Sequence, residues 1–239
     1  MSRLEVIELK YEMNGNEFPV NLAVVEDENE MVLVDCGLPN SFELIKEKMA
    51  EKNLDINKLT KVIITHQDQD HMGSLKEIKD NVKGVQVLAS EEESKYISGK
   101  EEFLRIQNIN KAINNVDEET KKTMEAFKAR VSSVQTVEVD RIVKDGDILD
   151  IAGGIEIIET PGHLPGHISV LIKKEKALVT GDALVVENGV LLASNPQYTL
   201  DMEMAKKSIK KLLNYDIETL ICYHGGIFSD NVKEKIREF

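Results

Sequence analysis

The sequence predicts an α/β chain folded as an αββα sandwich, two mixed β-sheets face to face with helices on both outer faces. Three observations predict it. Short apolar runs with partial alternation fill the first and last thirds of the chain and read as strands. Amphipathic stretches alternate with them and read as helices. The chain thus falls into two similar halves, each a sheet with helices outside, and two such halves bury their apolar faces by stacking sheet on sheet.

The elements follow in order. LEVIELKY and PVNLAVVED give two strands, and a polar turn around Glu28, Asn29 and Glu30 leads into MVLVD, a β-meander. Asp35-Cys36-Gly37 ends that strand, and Pro39-Asn40-Ser41 starts a helix over SFELIKEKMAEKN. The run from Val62 to Thr65 is a buried strand, GSLKEIKDN a short helix and GVQVLAS another strand. Residues 90–133 are rich in Glu, Lys and Asn and predict a helical insertion broken at Ser98-Gly99. That segment either covers a neighbouring site or packs elsewhere as a solvated helical pair, and nothing in it looks catalytic. Strands return in SVQTVEV, DILDIAGGIEIIETPG, HISVLIKK and KALVTGD. AKKSIKKLLNYD is an amphipathic helix, ETLICYH a buried strand and SDNVKEKIREF a terminal helix. The halves are too intertwined to separate, so residues 1–239 are expected to form one domain. No repeat of short fixed period interrupts the pattern.

Bulk properties narrow the function. With 239 residues the chain can bury a sizeable core, and 41% hydrophobic with 31% charged residues is ordinary for a soluble protein. No stretch approaches the roughly 20 apolar residues that span a bilayer. The first residues lack a basic segment followed by an apolar core and a cleavage site, so a cytoplasmic location and no membrane partner are expected. The net charge of −13 argues against a nucleic-acid partner, which needs basic patches. Cys36 and Cys222 follow apolar runs and read as buried thiols rather than a disulfide framework.

The histidines carry the chemistry. All five, His66, His71, His163, His167 and His224, sit at the end of an apolar run or in a Gly-rich turn beside one. In His66-Gln67-Asp68-Gln69-Asp70-His71, which follows KVIIT, a compact turn can aim His66 and Asp68 one way and Asp70 and His71 another. Imidazole and carboxylate are ligands for zinc, iron and manganese. Without a cation, so many acids and imidazoles in one turn would repel or need costly burial. Thr160-Pro161-Gly162-His163 holds a histidine at a strand end between stiff, tight turns. Asp182 follows KALVTG, and His224 follows LICY before Gly225-Gly226. Ligands converging from several strand ends on one edge is how α/β folds build sites.

Taken together these segments resemble the metallo-β-lactamase superfamily, which includes glyoxalase II, lactonases, RNase Z and flavodiiron proteins. The family pattern is His-x-His-x-Asp-His after a strand, a later Pro-Gly-His, a Gly-Asp and a final His, and the match runs in order from Asp35 to His224. The resemblance implies two divalent metal ions, zinc first, with iron or manganese as alternatives. His66, Asp68 and His163 would hold one, Asp70, His71 and His224 the other, and Asp182 would bridge them. Asp35 would support the ligand turn, and His167 would be a supporting residue rather than a ligand. Asp68 departs from the pattern, standing where the family has histidine. A carboxylate there is a harder ligand with an added negative charge, which favours iron or manganese.

The implied activity is hydrolysis of a small ester, thioester or lactone by a metal-bound hydroxide, with Asp70 guiding the proton. Two other readings stay open, a diiron protein reducing oxygen or nitric oxide, and a phosphodiesterase or nuclease. β-Lactam hydrolysis is not expected, because those enzymes usually carry a cysteine where this chain has Asp182. Tyr198 and Tyr223 either touch a substrate carbonyl or are packing residues. The expected partner is a small-molecule substrate, and a homodimer stays open.

Overall fold

The structure is a computed structural model, and it describes residues 2–13 and 15–239. The first sheet runs β1 (Arg3–Met13), β2 (Asn16–Glu26), β3 (Met31–Val34), β4 (Lys61–Ile63), β5 (Gln86–Ser90) and β6 (Arg141–Val143), side by side in that order. β1, β2 and β3 form the antiparallel meander, while β3 to β6 are parallel. Their crossovers are α1 (Phe42–Glu51), then α2 (Gln69–Met72) with α3 (Leu75–Asn81), then α4 (Glu91–Ile97), α5 (Leu104–Ala112) and α6 (Glu118–Ser132).

The second sheet contains β7 (Ile148–Leu149), β8 (Ile155–Glu159), β9 (Ile168–Ile172) and β10 (Ala177–Gly181). A separate hairpin, β11 (Leu184–Glu187) and β12 (Val190–Ala193), follows, then α7 (Met202–Lys211), β13 (Thr219–Cys222), β14 (Gly226–Phe228) and α8 (Val232–Arg237). The sheet order is β14-β13-β10-β9-β8-β7, with only β10 and β13 parallel. Both sheets are therefore mixed, and the architecture is the αββα sandwich that the sequence predicts.

Three apolar layers hold it. Between the sheets, Val25, Val32, Val34, Ile63 and Leu88 meet Ile155, Ile157, Val170, Ile172 and Val179. Outside the first sheet, Ile45, Met49, Leu75 and Ile78 of the crossover helices cover Leu22, Leu33, Val62 and Val87. Outside the second, Ile209, Leu212 and Ile236 cover Leu178 and Leu220. Each Val, Leu or Ile so buried is worth about 1.5–3 kcal/mol, so the middle layer fixes one sheet against the other. At one edge the sheets are also stitched by backbone bonds. Asn21 N–H donates to the Tyr223 carbonyl at 2.9 Å, and Ile168 N–H to the Thr65 carbonyl at 3.1 Å.

Two local expectations need correcting, and an open one is narrowed. SVQTVEV forms no strand, and β6 starts only at Arg141. Val134 and Val137 are buried three residues apart and join the core under the helices, a spacing that an alternating strand does not give. The hairpin β11–β12 has no counterpart in the strands read above, although Asn188 (φ 51°) and Gly189 (φ 78°) form the Asn-Gly turn that joins it. For residues 91–132, left open between covering the site and packing elsewhere as a solvated pair, the helices divide, α6 burying only Val131 and standing largely in solvent while α4 and α5 bury several residues. Tyr96, Ile97, Phe103, Ile106 and Val131 enter the first core, and α5 also reaches the strand ends described next.

Candidate metal centre

The residues singled out above all lie beyond the carboxyl ends of strands. Asp35 follows β3, His66 to His71 follow β4, and His163 sits in the β8–β9 turn. Asp182 follows β10 and His224 follows β13. Since β3 and β4 are parallel, as are β10 and β13, these ends share one edge of each sheet, where open α/β sheets place their ligands.

Local chemistry aims each histidine. Asp35, in the left-handed region at φ 61°, accepts Thr65 N–H on Oδ1 at 2.8 Å and the Thr65 hydroxyl on Oδ2 at 2.8 Å. The same Oδ2 lies 2.8 Å from His71 Nδ1. A carboxylate is an acceptor only, so His71 Nδ1 donates and its Nε2 keeps a lone pair facing inward. The Thr65 hydroxyl proton goes to Asp35, so His66 Nδ1, 3.0 Å from Thr65 Oγ1, donates as well and frees its own Nε2. His163 Nδ1 is 2.8 Å from Ser194 Oγ. Tyr223 is fully buried, its ring centroid 3.8 Å from that of His71 and its hydroxyl donating to the Asp70 carbonyl. It is a packing residue, whereas Tyr198 is 47% exposed at the rim.

His167 uses both nitrogens inside the fold. Its Nε2 accepts Asp182 N–H at 2.9 Å, so Nδ1 carries the proton and donates to Thr160 Oγ1 at 2.9 Å. Gly181, at φ 51°, makes this contact possible, because a Cβ there would lie 2.6 Å from His167 Nε2. His167 therefore supports Asp182 and has no lone pair to spare.

The free atoms converge in two clusters. Ligand atoms of His66, Asp68 and His163 lie within 4.8 Å of one another, as do those of Asp70, His71 and His224. Asp182 lies between them. Its Oδ1 is 3.2 Å from His71 Nε2 and 3.6 Å from His224 Nε2, and its Oδ2 is 3.5 Å from His163 Nε2. His66, His71 and Asp182 also form a ligand-like group of their own. These are the seven residues the sequence singled out.

Charge explains why such an arrangement needs cations. Burial pushes the carboxyls of Asp182 and Asp70 up, but the imidazoles of His224 and His71 outweigh it and hold both below the usual range. The same carboxylates, Asp182 first, raise His71 well above its ordinary value against the effect of burial, and His224 is raised likewise. Burial and the adjacent His71 ring, 3.9 Å away, keep His66 lowered and therefore neutral. Among the described residues, His66 Nε2, His71 Nε2 and Asp182 Oδ1 are buried with no hydrogen-bond partner. Buried polar atoms are nearly always satisfied, and three such atoms, all lone-pair donors at one centre, fit divalent metal.

Two residues of the helical segment, in which nothing looks catalytic by sequence, reach this centre and its turns. The Arg105 guanidinium grips Asp68 with Nε on Oδ1 at 2.8 Å and Nη2 on Oδ2 at 2.5 Å. The added charge that distinguishes Asp68 from histidine is thereby balanced. Burial pushes the Asp68 carboxyl up, but Arg105 and His163 hold it well below the usual range. Glu93, fully buried, accepts Gln67 N–H at 2.9 Å, Gln67 Nε2 at 3.1 Å and Gly166 N–H at 3.0 Å. It ties the turn carrying His66 and Asp68 to the turn carrying His163. Burial pushes its carboxyl up to about 7 against those donors. Glu93→Ala strands three N–H groups, and a loss of about 2–4 kcal/mol in unfolding free energy is expected from urea denaturation. The sequence cue for Arg105 is its place between Leu104 and Ile106, a charge set in an apolar run.

Comparison with known proteins identifies the family. The family model described as metallo-beta-lactamase superfamily matches residues 15–224. The chain is 28% identical to hydroxyacylglutathione hydrolase GloC of Haemophilus influenzae over 222 residues, covering 91% of each chain. It is 27% identical to the probable metallo-hydrolase YflN of Bacillus subtilis, covering 82% of this chain and 76% of that one. Among solved structures, a metallo-beta-lactamase family protein of Thermus thermophilus superposes with a TM-score of 0.73 at 24% identity, over 98% of this chain and 77% of that one. The chain belongs to the metallo-beta-lactamase superfamily. It is, in the general sense that membership carries, a metal-dependent hydrolase. Among the described residues no helix is long and apolar enough to cross a membrane.

Proposed function

We propose that the chain hydrolyses a small ester, thioester or lactone with two divalent ions, zinc in first place. His66, Asp68 and His163 would hold one, Asp70, His71 and His224 the other, with Asp182 shared. The observation that carries this reading is the trio of buried, unpartnered donor atoms on His66, His71 and Asp182. Such ions supply Lewis-acid activation of a carbonyl and ionisation of water near neutral pH. The chain's own residues do the rest. Asp35 and Thr65 fix the tautomers of His71 and His66 so that both present lone pairs. Asp70, partly exposed with Oδ2 3.3 Å from His224 Nε2, can take up a proton at the solvent side of the centre. Tyr198 and Leu200 are exposed on the loop that holds His163, where Leu200 N–H donates to the His163 carbonyl, and they offer an apolar rim to a substrate.

That the Haemophilus relative is named a hydroxyacylglutathione hydrolase supports an acyl substrate. The pairing of Asp68 with Arg105 removes the excess charge that favoured iron, so zinc and hydrolysis gain over the redox reading. The formal charge of −13 weighs against a nucleic-acid substrate. The test is a set of chromogenic aryl esters, acyl thioesters and lactones, assayed with metal-stripped and zinc-loaded protein. Zinc-dependent turnover of one class supports the reading. Oxygen or nitric oxide consumption by iron-loaded protein, with no hydrolysis, contradicts it.

Proton competition gives a second expectation. His71 and His224 have raised folded values, so they stabilise the metal-free fold fully below their ordinary value of 6.5, and that contribution is lost as pH rises through the raised values. Metal needs those nitrogens unprotonated. Saturating zinc should therefore raise Tm more at pH 8 than at pH 6, as differential scanning calorimetry would show.

A further inference from the structure

Arg105 treats the two halves of the centre unequally. Its Nε and Nη2 occupy both oxygens of Asp68, and Nη2 is also 3.2 Å from His163 Nε2. Two of the three side chains of the first cluster thus face N–H groups of one guanidinium. His163 Nε2 also lies 3.1 Å from Asp68 Oδ2, to which it would donate if protonated; in the tautomer with Nε2 bare, the one a metal requires, the guanidinium, which has no lone pair, donates to it. A metal ion needs that same lone pair. The two partners therefore compete for His163, and they share Asp68 at best.

Among the described residues no Lys or Arg pairs with the second cluster. Asp70, His71 and His224, with Asp182 beside them, present two carboxylates and two imidazoles. Apart from the shared Asp182, the carboxylate charge of the first cluster is already cancelled by Arg105, while the second keeps its own. Arg105 is also anchored behind, where Nη1 donates to the Tyr198 carbonyl at 2.7 Å. That carbonyl belongs to the loop whose Ser194 bonds His163 Nδ1 and whose Leu200 N–H bonds the His163 carbonyl. The loop that positions His163 therefore also holds its competitor in place.

We propose that Arg105 is a tethered cation that competes with metal for the first position, so that one ion is held firmly by Asp70, His71, His224 and Asp182 and the other exchangeably by His66, Asp68 and His163. Filling the first position then requires the guanidinium to release His163. Arg105 acts through Asp68 and His163 and is a positioning residue, and the inference rests on the two-metal reading above.

The test is zinc binding to metal-stripped protein, followed against a competing chromophoric chelator, for the wild type, Arg105→Gln, Arg105→Lys and His224→Ala. Two wild-type steps at least tenfold apart are expected. Arg105→Gln should tighten the weaker step at least tenfold and move the tighter one less than threefold. Arg105→Lys, which keeps the charge, should stay nearer the wild type. His224→Ala should lose the tighter step, and this arm decides the order of the two positions even if Arg105→Gln does not fold. Equal wild-type steps, an unchanged or loosened weaker step in Arg105→Gln, or loss of the weaker step in His224→Ala would overturn the proposal. Those results leave the two-metal reading intact, whereas no saturable zinc binding by the wild type would defeat both.

Discussion

Asp182→Ala is expected to lower turnover by on the order of a thousandfold or more and to weaken metal binding at both positions. The size follows from what the carboxylate does. Removing a single neutral donor from a catalytic centre costs about a hundred- to a thousandfold, and Asp182 is a charged group offering one oxygen to each cluster. The loss should be chemical rather than structural. Asp182 Oδ1 has no hydrogen-bond partner among the described residues, and its backbone bond to His167 survives the substitution. Far-ultraviolet circular dichroism of the metal-free protein should therefore match the wild type, while its melt shifts, because Asp182 is first among the carboxylates that raise His71 and His224. Zinc titration should show both steps loosened. A variant that keeps wild-type metal affinity and turnover would remove Asp182 from the centre.

Asp35→Ala should act in the opposite order, through the fold first. Its carboxylate is fully buried and takes protons from Thr65 N–H, the Thr65 hydroxyl and His71 Nδ1. Alanine strands all three, and a buried unsatisfied donor costs about 1–3 kcal/mol. A loss of several kcal/mol is expected in the metal-free protein. The tautomers of His71 and His66 are then no longer fixed, and metal affinity should fall about 10- to 100-fold, as for other residues that orient ligands. Asp35→Asn keeps one acceptor oxygen and should fall between alanine and wild type in urea unfolding. Equal stability of all three proteins would contradict the assignment.

The sequence carried the ligand-type residues because each follows an apolar strand that ends abruptly. The period-2 and continuous apolar patterns located β4, β10 and β13, and the polar residue after each had to lie at a sheet edge. Asp35 was readable for the same reason at the end of β3. The partners of Arg105 and Glu93 were not readable, because they lie 37 and 26 residues away along the chain, and no local rule links such positions. Composition pointed the wrong way, since a Glu- and Lys-rich helix reads as a solvated face. Tyr223 was ambiguous because a tyrosine beside a ligand-type histidine can face either way. Its burial against His71 joins the segments that follow β13 and β4, which belong to different sheets, a contact that only the tertiary structure shows. The Asn188-Gly189 turn is the sequence signal for the hairpin beside the site, and its flanking strands are only 4 residues each, too short for a clear alternation.

Counting the metal ions bound at saturation tests the central claim most directly. Metal-stripped protein would be titrated with zinc by calorimetry, and the loaded protein checked by elemental analysis after gel filtration at a fixed zinc concentration. Two ions per chain are predicted, with both steps weakened in Asp182→Ala. One ion per chain at saturation, or none, would contradict a centre built by these seven residues.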